Sequence, residues 1–554
     1  MRKLISAIMI IVPLWVSAQS AFETYNITQN DMRGTARFMS MAGAFGALGG
    51  DMSAISQNPG GIGIYRRSDI SATMNIEMQS ATTTSGSDCN TLRQSKVSLS
   101  NVGFVGAFER NSGVLPFFHF GISYNRPVSY NRHFSGQISD ISHSLTNYLA
   151  KTTLSQGLNT TNMGHSEINN PYLMSTETWL ASMAYNASII NPNDFAVNPE
   201  NGVEYGHNFK GLMNSKSMGV STYDIVEEGG VNEFNFHLGG NIANLVMIGA
   251  SININHMNYN KYTYYGENID NAVLQKDRST DQFRSGTASF SLESSLKTSG
   301  MGFGYKLGVI AKPTYWFRLG AAIHSPVYWN LSDQLYSSLS YQLTDHSVSY
   351  VNSGTEKANK GNIYKIKYKM DSPWRFNFSA AAVLGDNFII STMFEKVVYD
   401  AISHKTASSD DNALYFANIT NLTRTYLKNM NIYRLGLEYR IIPAVSVRAG
   451  YAYQDSPVDN DVKDNYFSIV AHTTIPSYTM EKSTQYFTCG AGFKIADFYV
   501  DAAYVLKSRN CIFSSFSPYN SGPSYESNYK LTPAPSADVK INSSEIVCTI
   551  GYRF

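Results

Sequence analysis

The chain ends Glu545-Ile546-Val547-Cys548-Thr549-Ile550-Gly551-Tyr552-Arg553-Phe554. Side chains alternate along extended backbone with period two. Ile546, Cys548, Ile550, Tyr552 and Phe554 therefore share one face, and Glu545, Thr549, Gly551 and Arg553 the other. A half-polar strand that stops on an aromatic is what a bacterial outer-membrane β-barrel presents to its assembly machinery. In a closed barrel it pairs back to the first strand, so that no edge stays open. The tail thus predicts an all-β fold, a closed antiparallel transmembrane barrel, with Phe554 on the lipid-facing rim.

The head of the chain points to export. Met1-Arg2-Lys3 is basic, Leu4 to Val16 is apolar, and Val16-Ser17-Ala18 offers a small-residue cleavage site before Gln19. Residues 1–18 read as a signal peptide, too short for a membrane span of about 20 residues. Nothing after Ala18 resembles an apolar helix, so a membrane crossing falls to strands. Only 15% of residues are charged and the net charge is +1, which gives no electrostatic case for nucleic acid. A mean hydropathy of -0.21 excludes a helical membrane protein but suits a barrel, whose strands are apolar on one face.

Period-two alternation predicts about fourteen strands. They are 69–79, 96–109, 117–126, 232–242, 245–258, 300–311, 315–325, 373–384, 387–399, 431–441, 444–454, 485–495, 497–508 and 543–554. In the first, Ile70, Ala72, Met74, Ile76 and Met78 share the outward face. Junctions alternate without exception between long (80–95, 127–231, 259–299, 326–372, 400–430, 455–484, 509–542) and short (110–116, 243–244, 312–314, 385–386, 442–443, 496). Long extracellular loops over short periplasmic turns are the pattern of outer-membrane barrels. It places both ends of the chain in the periplasm, in a protein read as a monomer in contact with outer-membrane lipid and lipopolysaccharide.

Several segments together resemble the FadL/TodX family of outer-membrane transporters for long-chain fatty acids and other hydrophobic compounds. They are Gly43-Ala44-Phe45-Gly46 through Asp51-Met52-Ser53-Ala54 to Asn58-Pro59-Gly60-Gly61; Ser299 to Val309 with Lys312-Pro313; Ser372-Pro373-Trp374-Arg375; Tyr433 to Arg440; and Val447 to Val458. They occur in family order over nearly the whole chain. The resemblance implies a fourteen-strand barrel (68–554) whose lumen holds residues 19–67 as a plug, or hatch. Asp51, Ser53, Ala54, Asn58, Pro59 and Gly60 are its gate residues. The family has Ala where this chain has Gly60, and there the tripeptide meets an inward kink of the third strand, for which Gly121 is the candidate. The function implied is uptake of a hydrophobic small molecule, with no cofactor, no metal and no enzymatic step.

Other candidates come from the residues themselves. Lys306, Arg318, Arg375 and Arg448 fall on lumen faces, either to meet a ligand carboxylate or to pair with wall acids such as Glu395 and Glu438. Trp179, Leu180 and Met183 share a helical face in the longest loop (127–231), either flooring an apolar groove or packing on neighbouring loops. Cys89 in the first extracellular loop and Cys511 in the last are a candidate disulfide across the closing seam, whereas Cys489 and Cys548 read as lipid-facing. Two rival functions remain. A general porin needs an open lumen. A haem receptor would draw on His119, His133, His237 or His324, whose spacing forms no motif.

Overall fold

The computed structural model describes residues 21–554 apart from 111–112, 166–169, 174–175, 200–201, 386, 408–412, 471–472 and 521–530. The expected signal peptide and Gln19 lie outside the described residues. Fourteen antiparallel strands form the wall. The first seven are β1 (Asp69–Ser85), β2 (Asp88–Glu109), β3 (Phe117–Ile138), β4 (Met218–Ile242), β5 (Val246–Asp277), β6 (Gln282–Ala311) and β7 (Phe317–His324). The others are β8 (Trp374–Leu384), β9 (Phe388–Val398), β10 (Met430–Ile442), β11 (Val445–Gln454), β12 (Tyr478–Ile495), β13 (Phe498–Ser514) and β14 (Ser536–Arg553). Each pairs with the next, and β14 returns to β1 from Asp69↔Arg553 to Thr84↔Asp538. Ser68 and Phe554 exchange backbone hydrogen bonds of 3.0 Å in both directions and complete the closure.

The faces separate as the alternation requires. On β1 Ile70, Met74, Ile76 and Met78 are exposed to the lipid side, while Ser71, Thr73, Asn75 and Glu77 are buried in the lumen. At the periplasmic end Ala243 and Asn244 turn β4 into β5 with φ of 51° and 59°, the conformation of a type I′ hairpin that matches strand twist.

The extracellular half departs from expectation. Much of what reads as loop is continued strand: β4 begins at Met218 instead of 232, β5 runs to Asp277 instead of 258, and β6 starts at Gln282 instead of 300. Above the membrane the outward positions turn polar (His256, Asn258 and Asn260 on β5), so the apolar alternation that reveals a strand is lost. These extensions, with α4 (Leu145–Ser155), surround an apolar roof core that includes Leu149, Tyr223, Ile269, Leu292 and Phe513.

Three helices and a turn run through the lumen: α1 (Ala21–Thr28), α2 (Ala36–Ser40), α3 (Met52–Gln57) and a 3-10 turn at Pro59–Ile64. α1 lies high, where Phe22 stacks on Tyr478 at 5.0 Å. The 3-10 turn lies low, where Asn241 Nδ2 donates to the Gly63 carbonyl at 3.2 Å.

The proposed seam disulfide is absent. Cys89 and Cys511 are both free thiols, the first exposed and the second buried. Cys89 is on β2 opposite Thr84, and Cys511 is on β13 opposite Val539. β1 and β14 stand between them, three strand spacings or about 14 Å, where a bridge needs Cα atoms within about 7 Å. Burial pushes the Cys511 thiol up to about 12.

Candidate functional site

The lumenal segment is held by its own polar residues. Asp51 caps α3, accepting from Ser53 N at 2.9 Å and Ala54 N at 3.3 Å, and it also accepts from Thr35 Oγ1 at 2.7 Å. Ser53 Oγ accepts from Thr35 N at 2.8 Å. Asn58 Nδ2 donates to the carbonyls of Gly46 (2.6 Å) and Val309 (3.1 Å), while its Oδ1 accepts from Gly60 N at 3.0 Å. These gate residues staple the segment to itself and to the wall. Wall glycines make the seat: a Cβ on Gly249 would lie 2.1 Å from the Pro59 carbonyl oxygen, and one on Gly308 2.0 Å from Asn58 Oδ1. Asn58-Pro59-Gly60 therefore rests on β5 and β6, with Gly60 against Val309, and not on the third strand as the resemblance implies.

Beside this segment is a cavity of about 160 Å3 in mid-lumen. An apolar ceiling that includes Ile27, Val128, Val231 and Trp329 covers it, and Glu233, Lys306, His324, Arg375 and Glu395 line its sides. Such a volume suits a benzene-sized group and falls short of the 300 Å3 or more usual for drug-sized ligands.

The four lumen cations are each engaged, three by acids of the wall and one by the lumenal segment. Lys306 Nζ holds Glu233 at 2.9 Å, and Arg375 holds Glu395 at 3.0 Å. Arg448 pairs with Glu438 at 2.6 Å and with Asp501 at 2.5 Å. Arg318 Nη1 donates to the Leu48 carbonyl at 3.0 Å. The ion-paired alternative describes three of them, with the two acids expected for it.

The ladder between two neighbouring wall strands stops partway up. β2 and β3 pair only from Glu109↔Phe117 to Asn101↔Asn125, while β3 continues to pair with β4 up to Ile138↔Ser221. Two bulges meet at the fork. On β3, Arg126 and Pro127 stand opposite Asn232 alone, because Asn125 pairs with Glu233 and Val128 with Val231. On β2, Ser100 is the extra residue opposite Thr73 and Met74. Proline has no N–H for a ladder, and a bulge bends its strand. β3 accordingly leans inward over β1: Thr83 Oγ1 donates to the Ser135 carbonyl at 2.7 Å. Asp31 N donates to the Pro127 carbonyl at 3.0 Å, and Asn125 Nδ2 to Ser56 Oγ at 2.7 Å, so the lumenal segment grips the bulge on both sides. Asn125, Pro127 and Val128 also line the cavity. Gly121, the expected kink, is in regular pairing with Val105 and His237. The signal in the sequence is Arg126-Pro127 itself, which reads as the end of a strand and forms a bulge within one.

Trp179, Leu180 and Met183 lie on the helix Trp179–Asn186, and all three are buried in the roof core. Trp179 meets Tyr172 and Tyr364 edge-on at 5.5 and 4.9 Å. They pack on neighbouring loops and floor no groove. The four candidate histidines are each hydrogen-bonded: His119 to the Tyr65 carbonyl, His133 to Asp224, His237 to Ser123 and Ser251, and His324 to the Gln57 carbonyl. Among the described residues no group of His, Cys, Asp and Glu is placed to hold a metal.

Comparison with known proteins gives the following. Residues 14–508 match the model of a family described as outer membrane protein transport protein (OMPP1/FadL/TodX). No curated protein matches. Among solved structures, a Pseudomonas aeruginosa FadL homologue is 12% identical, with a TM-score of 0.49 over 95% of this chain and 100% of that one. The P. putida toluene transporter TodX is 10% identical, with a TM-score of 0.45 over 95% and 99%. The Ralstonia pickettii toluene transporter TbuX is 12% identical, with a TM-score of 0.43 over 94% and 99%. At this identity they say nothing of the ligand.

Proposed function

The chain belongs to the OMPP1/FadL/TodX family of outer-membrane transport proteins, and on that premise we propose that it takes up long-chain fatty acids or similar acid-headed compounds by passive diffusion, releasing them sideways through the gap between β2 and β3. It carries out no chemistry on its ligand. The observation that supports this reading most is the contact of cavity and fork: Asn125, Pro127 and Val128 belong to both. An opening there leads from the lumen into the outer leaflet, where an apolar chain is already at home.

The cavity holds only part of a long chain, so passage requires the stretch Ile27–Arg33, which lines it, to shift. The hatch is the closed state of the lumen to ions. Deleting Ala42–Gly60 is expected to raise conductance in planar bilayers, and an unchanged small conductance would argue against the plug. The decisive experiment is uptake of labelled long-chain fatty acid by a host lacking its own transporter. Folded protein that gives no uptake would overturn the reading.

A further inference from the structure

Above the fork stand two cations that the wall does not neutralise. Lys96 of β2 donates Nζ to the Tyr130 carbonyl at 3.3 Å, and Arg126 of β3 donates Nη2 to the Gly229 carbonyl at 2.8 Å. Tyr130 and Gly229 are partners in the β3–β4 ladder, so ammonium and guanidinium converge on one rung. Gly230 makes the room, since a Cβ there would lie 2.8 Å from Arg126 Nη2 and 2.9 Å from Nε. Both side chains are half-buried, and Arg126 Nε is buried without a hydrogen-bond partner. Neither forms an ion pair among the described residues. Of the carboxylates within electrostatic range of Lys96, Glu77 is taken by Arg33 at 3.3 Å, and Glu228 is exposed.

The contrast with the lumen is sharp: Lys306, Arg375 and Arg448 are each matched by an acid there. A partly buried cation without a counter-ion is costly, and two on one rung also repel each other. Their level in the wall matters too. Lys96 pairs across to Glu77, beside Met78, the last large apolar residue on the outward face of β1. An anion held there would sit at the polar boundary of the outer leaflet while an attached chain reached down along the fork. Arginine's fork of donors fits a carboxylate, and lysine adds a point charge.

We propose that Lys96 and Arg126 form a binding site for an anionic head group at the wall opening, and that its ligand is a single-chain amphiphile bearing a carboxylate. This rests on the channel reading and narrows it, because a neutral hydrocarbon has nothing to offer the pair. Phosphate of the surrounding lipopolysaccharide is the rival source of the anion.

The test is equilibrium binding of labelled palmitic acid and of hexadecanol to the purified full-length barrel, with folding checked by heat-modifiable migration. Wild type is expected to prefer the acid. Lys96→Gln/Arg126→Gln is expected to lose acid binding on the order of tenfold or more with hexadecanol little changed, and Lys96→Arg to retain it. Binding of both ligands without preference, or a preference that survives in the double variant, overturns the site while leaving the channel reading intact. Failure of wild type to bind either ligand overturns both. If the double variant loses co-purifying lipopolysaccharide and keeps palmitate, the anion is the lipid's phosphate and the carboxylate assignment is wrong.

Discussion

β2 has two neighbours and treats them differently. Toward β1 it pairs without a gap from Asp69↔Val105 to Ser85↔Asp88, its one bulge at Ser100 absorbed. Toward β3 it pairs from Glu109↔Phe117 and stops at Asn101↔Asn125, though both strands go on. Proline alone does not explain the difference. Pro326 and Pro373 also interrupt the wall, after β7 and before β8, yet there Val327 N donates to Ser372 Oγ at 2.8 Å and Ser372 N to the Val327 carbonyl at 3.1 Å, which stitches the break. At Pro127 the carbonyl is taken by Asp31 of the lumenal segment. At this break the interior takes a carbonyl at the bulge, and no backbone ladder resumes between β2 and β3.

The sealed side should fail hardest when its clamp is removed. Arg33 reaches Glu77 of β1 at 3.3 Å and Glu545 of β14 at 3.8 Å, both buried. Arg33→Ala would leave two carboxylates facing each other in the lumen, and a loss of about 3–5 kcal/mol is expected, read as a lower midpoint in urea unfolding. A second change acts on the open side. Deleting Pro127 leaves one residue of β3 opposite Asn232, which restores the register without turning any side chain over. Fatty-acid uptake should fall on the order of tenfold, about 1.4 kcal/mol, with the barrel still folded; uptake at the wild-type rate would show that the fork is not the route.

Above the fork β3 has no backbone ladder to β2 and carries Phe134 and Ile138 into the roof core, which makes the roof's pH response informative. Glu267 is buried under α4, accepting from Leu145 N at 2.8 Å and Tyr265 OH at 2.6 Å, and burial raises its carboxyl from 4.5 to about 7. The folded state then holds a proton that the unfolded chain releases near 4.5. Its contribution is complete below pH 4.5 and fades as pH rises to about 7, by at most about 1.4 kcal/mol per pH unit. Amide exchange in the roof should be slower at pH 5 than at pH 8, after correction for the intrinsic rate, and Glu267→Gln should flatten that dependence. The smallest effect belongs to the corner of the fork. Asn101 Nδ2 donates to Asn125 Oδ1 at 2.5 Å, and Asn101→Ala should cost about 1 kcal/mol while raising uptake slightly; reduced uptake would contradict an opening that this bond restrains.

The membrane band was legible in the sequence because lipid on one side and a polar lumen on the other impose a strict period of two, as in Ile70 to Met78. Strand number, closure and loop sidedness follow from it. The site was far less legible. Cations on lumen faces could be found by parity, but whether Arg375 serves a ligand or Glu395 depends on which acid faces it across β8 and β9. Trp179 and Met183 showed a helical face without showing what covered it. The meaning of Lys96 and Arg126 lies in a missing stretch of backbone ladder, and no local pattern announces that two neighbouring strands meet there only through side chains.

Phe554 and Ser68 complete the ring, and Arg33 cannot reach both its acids until β1 and β14 lie side by side. That contact joins residues separated by almost the full length of the chain. Closure therefore depends on both flanking strands together: the cylinder shuts only when β14 lies against β1, and the interior segment gains its anchor at the same moment. A chain shortened by its final strand should not make a weaker channel; it should make none, and be cleared by proteases as an unfinished sheet.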